Sequence, residues 1–376
     1  MIPWSDTDKA VLVNHCRPVT HMRRQFQAGR LSLVFGTGLT QPLGLPGWQD
    51  LNKRLAEDPM VDGKGLLGRP TSETIKSLLE KDSIETICRI CGAGPEETII
   101  TQRLFEHFRK RTYESSPVQD LHTVKLNSDI QREWRSIIRK ILYADASEGD
   151  PAALASSILE IHPYLKSILP LVRNAPLTVT YNFDDILEVV LNGDRTIEER
   201  QSSRGYEATI DIRIPPRSAN GVVFHPNGYI PRNTMEGGYE GIVLSEDEFA
   251  DRMIETMTGQ YASLLHHYAN NTCLFIGLSL KDSILKNLLR QCATVTPGHY
   301  HYYVQHCHSD PPSQDEQDAI LASNFSTYNL ITLFLNDEQI ASLGKLISVG
   351  HDAQQGHEHD DFCRLARDLL GFAQVM

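Results

Sequence analysis

Small, amide and imidazole side chains occur in this sequence directly after short apolar runs. Gly36 and Gly38 follow one such run, Asn182 follows a second, and His225 follows a third. Glycine lets a backbone approach a phosphate and offer its N–H groups. A carboxamide can donate to and accept from a hydroxyl or a water, and an imidazole exchanges protons near neutral pH. Together these residue types have the chemistry to bind a phosphate, a hydroxyl and a water molecule.

The glycine segment SLVFGTGLT has two simpler interpretations. One is a tight turn between a strand and a helix, which needs no ligand. The other is the fingerprint of a hydride-transferring dehydrogenase, but its third glycine would fall at Gln41, and no acidic residue closes a following second strand. The segment therefore disfavours a dehydrogenase and leaves a phosphate loop or a plain turn.

Asn182 and His225 also have structural alternatives. Asn182 has the residue type and position to cap a helix predicted over Phe183–Leu191, and this role is compatible with a place in a ligand site. His225 stands at the end of a predicted strand, where a lone histidine is usually structural. Taken together with the glycine segment and the Asn182 segment, it becomes a candidate general base, since its unperturbed pKa lies near 6.5. Pro226 and Asn227 follow it and shape the loop.

The apolar runs that precede these residues are rich in Leu, Val and Ile and are bounded by turn residues, as buried parallel strands are. The predicted strands are Leu31–Phe35, Leu177–Thr180, Val222–Phe224, Cys273–Ile276, Tyr302–Gln305 and Leu330–Leu335. Helical patterns separate most of them. The sequence therefore predicts an α/β, Rossmann-like fold with a mainly parallel sheet and helices on both faces.

A long, almost entirely helical stretch separates the first two strands. Asp82 and Glu85 form a capping box there, Pro95 begins another helix, and Trp134 opens an apolar pattern repeated at helical spacing. We predict a core over 1–58 and 171–335, an inserted helical subdomain over 59–170 and a C-terminal helical segment over 336–376.

Composition excludes several classes of protein. The formal net charge is −12, which argues against broad binding to nucleic acid or to an anionic membrane. The N-terminal residues lack the basic and apolar regions of a signal peptide, and no apolar run reaches the length of about 20 residues that spans a bilayer. Seven cysteines, odd in number and mostly scattered, favour reduced thiols. We expect a cytoplasmic protein.

Four segments, in order, resemble the motifs of the sirtuin family. GTGLTQPLGLPGW is similar to the first motif, with Gly36, Thr37, Gly38, Thr40 and Pro46 at matching positions. TYNFDD is similar to the second, retaining Thr180, Asn182 and Asp184. His225 corresponds to the motif histidine, and FIGLS supplies the strand and the Gly277–Ser279 turn. The resemblance covers about Leu31 to Leu289.

The resemblance implies roles for these residues toward nicotinamide adenine dinucleotide (NAD). Asn182 would orient the nicotinamide ribose and a water, and His225 would act as the base. The side chain of Asp184 and the backbone of Phe183 would hold the carboxamide. The implied NAD-binding residues are Gly36, Thr37, Gly38, Thr40, Pro46, Trp48, Thr180, Phe183, Asp184, Gly277 and Ser279.

Departures from the deacylase pattern indicate which branch of the family the chain resembles. Deacylases use two Cys-x-x-Cys pairs to bind zinc, whereas this sequence has one, Cys88 and Cys91, on the apolar face of a predicted helix. Gly47, Trp48 and Gln49 replace the residues that follow the first motif in deacylases. The Gly-x-Pro-x-Trp pattern is typical of the divergent, defence-associated branch. No zinc and no other metal is expected.

That branch implies an NAD hydrolase that acts in bacterial antiphage defence. Such enzymes often form homo-oligomers and are often controlled by a partner, such as a HerA-type ATPase, a short Argonaute or a phage protein. Two alternatives remain. One is a zinc-independent NAD-dependent protein deacylase, and the other is a non-catalytic subunit that binds NAD or ADP-ribose.

Overall fold

A computed structural model of the chain shows a parallel α/β architecture. It describes residues 16–64, 97–115, 123–144, 151–193, 205–212, 221–232, 242–244, 260–280, 282–307 and 312–348. Within these residues seven strands form one sheet in the order β3-β4-β2-β1-β5-β6-β7, and every neighbouring pair is parallel. The strands are β1 Leu31–Phe35, β2 Thr178–Thr180, β3 Tyr206–Thr209, β4 Gly221–Phe224, β5 Thr272–Ile276, β6 His301–His306 and β7 Leu330–Leu335.

The predicted fold class and all six predicted strands are confirmed. Leu31–Phe35 and Leu330–Leu335 have the predicted bounds, and the other strands differ by one residue at one or both ends. The strand that sequence analysis missed is Tyr206–Thr209. It lies at the edge of the sheet and is mostly half-buried, so it has no continuous apolar run to indicate it.

Helices fill most of the remaining described chain. They are α1 Cys16–Gln27, α2 Trp48–Glu57, α3 Glu97–Ser115, α4 Thr123–Leu142, α5 Pro151–Ile161, α6 Leu165–Arg173, α7 Ile186–Gly193, α8 Gln260–Asn270, α9 Ser283–Val295, α10 Gln314–Tyr328 and α11 Asp337–Ser348. The side chain of Asp282 accepts the backbone N–H of Leu285 at 2.9 Å and so caps α9. Asp82, Glu85 and Pro95 lie outside the described residues.

The sheet separates two hydrophobic cores because successive side chains of a strand point to opposite faces. On β1, Leu31, Leu33 and Phe35 enter the larger core with α6, α7 and α11. Val34 faces the other side and packs with residues of α8 and α9. Helices therefore cover both faces, as predicted, and the central strands β1, β2 and β5 are buried along their length.

Parallel pairing sets the positions of the residues that follow the strands. Phe35 of β1 pairs with Thr180 on one side and with Ile276 on the other. The chain leaves β1 toward β2, and after β4 it returns to the opposite side of β1 as β5. The crevice at such a change of direction is where ligands bind in open α/β sheets. Gly36, Asn182, His225 and Gly277 all lie at this carboxyl edge.

The region predicted as a helical insertion is helical wherever it is described. Leu104 and Phe108 of α3 are buried in the same core as Trp134 and Ile138 of α4, as the apolar patterns indicated. The domain boundaries stay a prediction. No helix in the described part of the chain is both long and apolar enough to cross a bilayer.

Candidate functional site

The glycines after β1 pack directly against the turn after β5. The N–H of Gly36 donates to the Ile276 carbonyl at 3.1 Å, and the N–H of Gly38 donates to the Gly277 carbonyl at 2.8 Å. A Cβ at Gly36 would stand 2.7 Å from that Gly277 oxygen. Gly36 therefore cannot carry a side chain, because its backbone lies in contact with that of Gly277. A phosphate at this point would compete with these carbonyls for the two N–H groups.

Asn182 connects the end of β2 to the loop after β1. Its side-chain nitrogen donates to the Gly36 carbonyl at 3.2 Å and to the Thr40 hydroxyl at 3.4 Å. A carbonyl can only accept, so the amide nitrogen must face Gly36 and the amide oxygen must face the other way. That oxygen is buried and has no partner among the described residues. The side chain thus presents an unused acceptor at the carboxyl edge.

His225 lies behind Asn182 and is fully buried. Its Nδ1 atom is 2.9 Å from the backbone oxygen of Asn182, and its Nε2 atom is 2.7 Å from a carboxylate oxygen of Glu188 on α7. The ring of Tyr229 covers it at 4.7 Å between centroids. Both ring nitrogens are therefore occupied by protein groups, and service as a general base would require one of these bonds to open.

The partners of His225 determine its protons. The Asn182 carbonyl can only accept, so Nδ1 carries a hydrogen. The second ring nitrogen faces a carboxylate, so either the ring is charged or Glu188 holds the proton. Burial lowers the pKa of His225, but the Glu188 carboxylate and the Asn182 carbonyl outweigh it and raise that pKa above its usual value. The short contact and this raised pKa both favour the protonated His225 ring.

The start of α7 corrects one prediction. Asn182 does not cap this helix, and the helix begins at Ile186 instead of Phe183. Asp185 directly precedes the helix, and the Asp184 side chain accepts the Ile186 N–H at 3.1 Å. Burial raises the pKa of Asp184 to about 7. The Phe183 carbonyl accepts the N–H of Ile230 at 2.7 Å, which ties the loop after β2 to the loop after β4.

The two extra residues after His225 have defined partners. Tyr261 on α8 donates its hydroxyl to the Pro226 carbonyl at 3.0 Å. The Asn227 side chain donates to Asp282 at 3.2 Å, and Asp282 is also the cap of α9. Pro226 and Asn227 therefore link the loop after β4 by hydrogen bonds to α8 and to the start of α9.

The helical insertion also contacts this edge. The ring of Trp48 meets Phe183 edge-on at 6.0 Å, and its N–H donates to Thr101 of α3 at 3.4 Å. Thr101 in turn donates to Asn52 at 2.7 Å. Trp48 therefore connects the motif after β1, the motif after β2 and the insertion.

A second contact with the insertion follows α4. The hydroxyl of Tyr143 donates to the Ile230 carbonyl at 2.7 Å and accepts the Asp185 N–H at 3.1 Å. Arg232 lies over the Tyr143 ring at 5.1 Å and contacts the Asp185 carboxylate at 3.4 Å. We call Tyr143, Asp185, Ile230 and Arg232 the loop clamp, because they join the loops after β2 and β4 to the end of α4.

The structure brings most predicted site residues together. Gly36, Thr40, Thr180, Asn182 and His225 form one hydrogen-bonded group, since Thr180 accepts the Asn182 N–H at 3.2 Å. Gly38 and Gly277 adjoin it, and Trp48 and Phe183 pack beside it.

Other predicted residues lie at the margin of this group. Thr37 and Ser279 are exposed, and Pro46 is half-buried. Cys88 and Cys91 lie outside the described residues. Among the residues that the structure describes, no three His, Cys, Asp or Glu side chains are placed to hold a metal ion. The expectation of no zinc stays a prediction.

Glu188 is the site residue that sequence analysis missed. It is buried on a helix whose neighbours Ile186, Leu187 and Val190 are all apolar. A single carboxylate on such a face was the available signal, because burying one without a partner is costly. Its partner His225 is 37 residues further along the chain, directly after β4, so the sequence alone did not identify the pair.

The fold and the site define a parallel α/β protein with a group of buried polar residues at the carboxyl edge of its central strands. Residues 176–330 match the family model described as a SIR2-like domain. This part of the chain is therefore similar to a SIR2-like domain, and SIR2-like domains use NAD. No curated protein matches the chain significantly.

Proposed function

We propose that this protein hydrolyses NAD to nicotinamide and ADP-ribose. The observation that carries the proposal is the Asn182 side chain, which is fixed on one side and offers an unpaired, buried oxygen on the other. It stands at the carboxyl edge, beside the crossover point of the sheet. A buried acceptor without a partner is costly, so a ligand hydrogen at this position would be bound favourably.

Hydrolysis of NAD requires few catalytic groups from the protein. When the bond between nicotinamide and C1′ of the ribose breaks, its electron pair returns to the pyridinium nitrogen, and nicotinamide leaves uncharged without an acid. A water oxygen then bonds to the cationic C1′ and releases one proton to solvent. The protein must hold the sugar, place this water and exclude other nucleophiles. The Asn182 oxygen is suited to accept a hydrogen bond from the water or from a ribose hydroxyl.

His225 acts through Asn182 in this proposal. Its Nδ1–H donates to the backbone oxygen of Asn182 and so holds the residue that meets the ligand. Thr40 holds the same residue from the side-chain end. Gly36 and Gly38 bring the loop after β1 close to Gly277, which would narrow the crevice around the sugar and phosphates. The Asp184 carboxyl and the Phe183 backbone would contact the nicotinamide carboxamide.

We further propose a cellular role in bacterial antiphage defence, in which the enzyme drains NAD from an infected cell. The resemblance of GTGLTQPLGLPGW to the defence-associated branch supports it. On this proposal the protein acts as a homo-oligomer in the cytoplasm and is controlled by a partner such as a HerA-type ATPase. A decisive observation is the NAD content of cells expressing the wild type or Asn182→Ala, with and without the adjacent gene.

The enzymatic test measures nicotinamide and ADP-ribose released from NAD by the purified protein, alone and with any co-encoded partner. We expect Asn182→Ala to reduce release by about 100-fold or more, the usual loss for a group that stabilises a transition state. Asn192→Ala is the matched control. Its amide also bonds to backbone, donating to the Tyr206 carbonyl at 3.0 Å, but it lies at the far end of α7.

Two other results would contradict hydrolysis and identify an alternative. Nucleotide binding in a calorimeter, without release under any of these conditions, would indicate a non-catalytic subunit. Release that requires an acylated peptide would indicate a deacylase. Equal losses in Asn182→Ala and Asn192→Ala would show that folding, not chemistry, was measured.

A further inference from the structure

We propose that Glu188 is a positioning residue for the reaction: its carboxylate holds the His225 ring in one orientation, and the ring in turn fixes the Asn182 backbone. The inference rests on the proposed function, because it concerns how the residue that meets NAD is kept in place. Neither the sirtuin motifs in the sequence nor the family match assigns a role to Glu188.

The geometry forms a short relay. A carboxylate oxygen of Glu188 is 2.7 Å from Nε2 of His225, and Nδ1 on the other side of that ring is 2.9 Å from the Asn182 oxygen. Both side chains are nearly or fully enclosed, with exposures of 7% and 0%. A ring bonded at both nitrogens cannot rotate without breaking both bonds. The position of Asn182 is therefore coupled to Glu188 through one rigid imidazole.

The charge of Glu188 matters as well as its shape. A protonated ring donates from both nitrogens, which is the arrangement that a backbone carbonyl and a carboxylate both accept. Bonds of this type to charged groups are roughly twice as strong as neutral ones. The second oxygen of Glu188 has no described partner, so its hydrogen-bonding capacity within the protein is directed at His225.

Other groups face the pair and bear on its titration. Asp184 lies close enough to favour a charged His225 ring, and that ring disfavours the neutral form of Asp184. The Tyr229 ring packs against the imidazole. Glu188 is the carboxylate in hydrogen-bond contact with the ring, so its removal should change the protonation of His225 more than a change at Asp184 would.

The experiment compares Glu188→Gln, Glu188→Ala and the control Glu207→Gln, which removes an exposed carboxylate on β3. Glutamine keeps the shape and removes the charge, whereas alanine removes both. Selective ¹³C labelling of the histidine Cε1 atoms reports whether the His225 ring is protonated, and the signal is assigned by its loss in His225→Phe. The pH profile of nicotinamide release is measured on the same proteins, with circular dichroism to confirm folding.

We expect the pKa of the His225 ring to lie above 6.5 in the wild type and in Glu207→Gln, and to be lower in Glu188→Gln than in either of them. The alkaline limb of nicotinamide release should move to lower pH in Glu188→Gln. Release by Glu188→Ala should fall about 10- to 100-fold, as it does when the partner of a functional histidine is removed.

The outcomes separate this inference from the proposed function. If His225 titrates at the same pH in the wild type and in Glu188→Gln, or if turnover is present with an unchanged pH profile, the positioning role is wrong although hydrolysis stands. If no NAD is consumed by any form while the His225 titration still follows Glu188, the relay is supported and the hydrolase proposal fails.

Discussion

Two fully buried histidines at opposite edges of the sheet have pKa values shifted in opposite directions. His225 at the carboxyl edge faces a carboxylate, and His301 at the amino end of β6 accepts the backbone N–H of Cys273 at 3.1 Å. Phe275 and Tyr268 surround His301 edge-on at about 6 Å. Burial lowers the pKa of His301 to about 3, helped by His299 and His267, whereas Glu188 raises that of His225.

The comparison shows that burial alone does not determine the state of an imidazole. Both rings lose contact with water to the same degree, but their partners differ in charge. A backbone N–H can bond only to an unprotonated nitrogen, so His301 is held neutral. A carboxylate favours the protonated ring. His301 at the amino edge is therefore a neutral core residue, whereas the surroundings of His225 at the carboxyl edge favour the charged ring.

Replacing each ring by phenylalanine tests this difference most directly. We expect His225→Phe to lower the free energy of unfolding by about 3–5 kcal/mol, because Glu188 is left as a buried charge without its partner. His301→Phe should cost about 1–3 kcal/mol, because it leaves only the Cys273 N–H without an acceptor. Urea unfolding at neutral pH measures both, and equal losses would contradict the assigned charge states.

Acid unfolding sharpens the comparison further. Burial, with a smaller contribution from His266, lowers the pKa of His267 to about 4, and its Nε2 lies 2.7 Å from the Ser32 hydroxyl. Because the folded pKa is depressed, the stability that neutral His267 contributes is complete above about pH 6.5. It is lost progressively as the pH falls toward 4, by on the order of 3 kcal/mol.

We expect His267→Gln to flatten this acid limb, because the amide nitrogen can still meet Ser32 but does not titrate. His266→Gln, on the exposed side of the same helix, is the control. Urea midpoints between pH 4 and 8 measure the effect. His225 has the opposite sign, since its raised pKa contributes stability below about pH 6.5 that is lost as the pH rises through the folded value.

Glycines at the two edges of the sheet differ in the space around them, and replacing them is expected to give the smallest difference in stability. Gly36 has no room for a Cβ, whereas Gly298, in the turn before β6, has φ +86° and nothing within 4 Å. Gly36→Ala must push two backbones apart and should cost about 1–3 kcal/mol as well as nicotinamide release. Gly298→Ala should cost about 1 kcal/mol from backbone strain and leave release unchanged. Loss of release in both variants would show that the measurement follows stability alone.

Much of the fold was predictable because the strands are buried on both faces. Leu31–Phe35 and Leu330–Leu335 are apolar except for one residue each, Ser32 and Thr332, and their bounds follow from that pattern. Tyr206–Thr209 was not predictable in this way, since an edge strand with half-exposed side chains carries no such run. The start of α7 was placed too early because capping depends on a local backbone turn in which Asp184, not Asn182, meets the free N–H.

Candidate site residues that directly follow a strand could be predicted from the sequence. Contacts between residues that are distant in the sequence could not. Asn182 and His225 were identified from their positions after β2 and β4. That the backbone oxygen of Asn182 accepts from His225, and that Gly36 touches Gly277, depend on pairings that only the folded sheet creates. Glu188 was missed for the same reason, because its contact with His225 exists only in the folded protein.

The loop clamp has a thermodynamic consequence for control of the enzyme. Tyr143 contacts both loops that carry Asn182 and His225, so the end of α4 and the crevice share hydrogen bonds. Linkage between two sites is reciprocal. A protein that bound the insertion more tightly in one arrangement of the clamp would change the affinity of the crevice for its ligand by a certain factor. The ligand would change the affinity for that protein by the same factor, so a bound ligand would alter how tightly the protein binds the insertion.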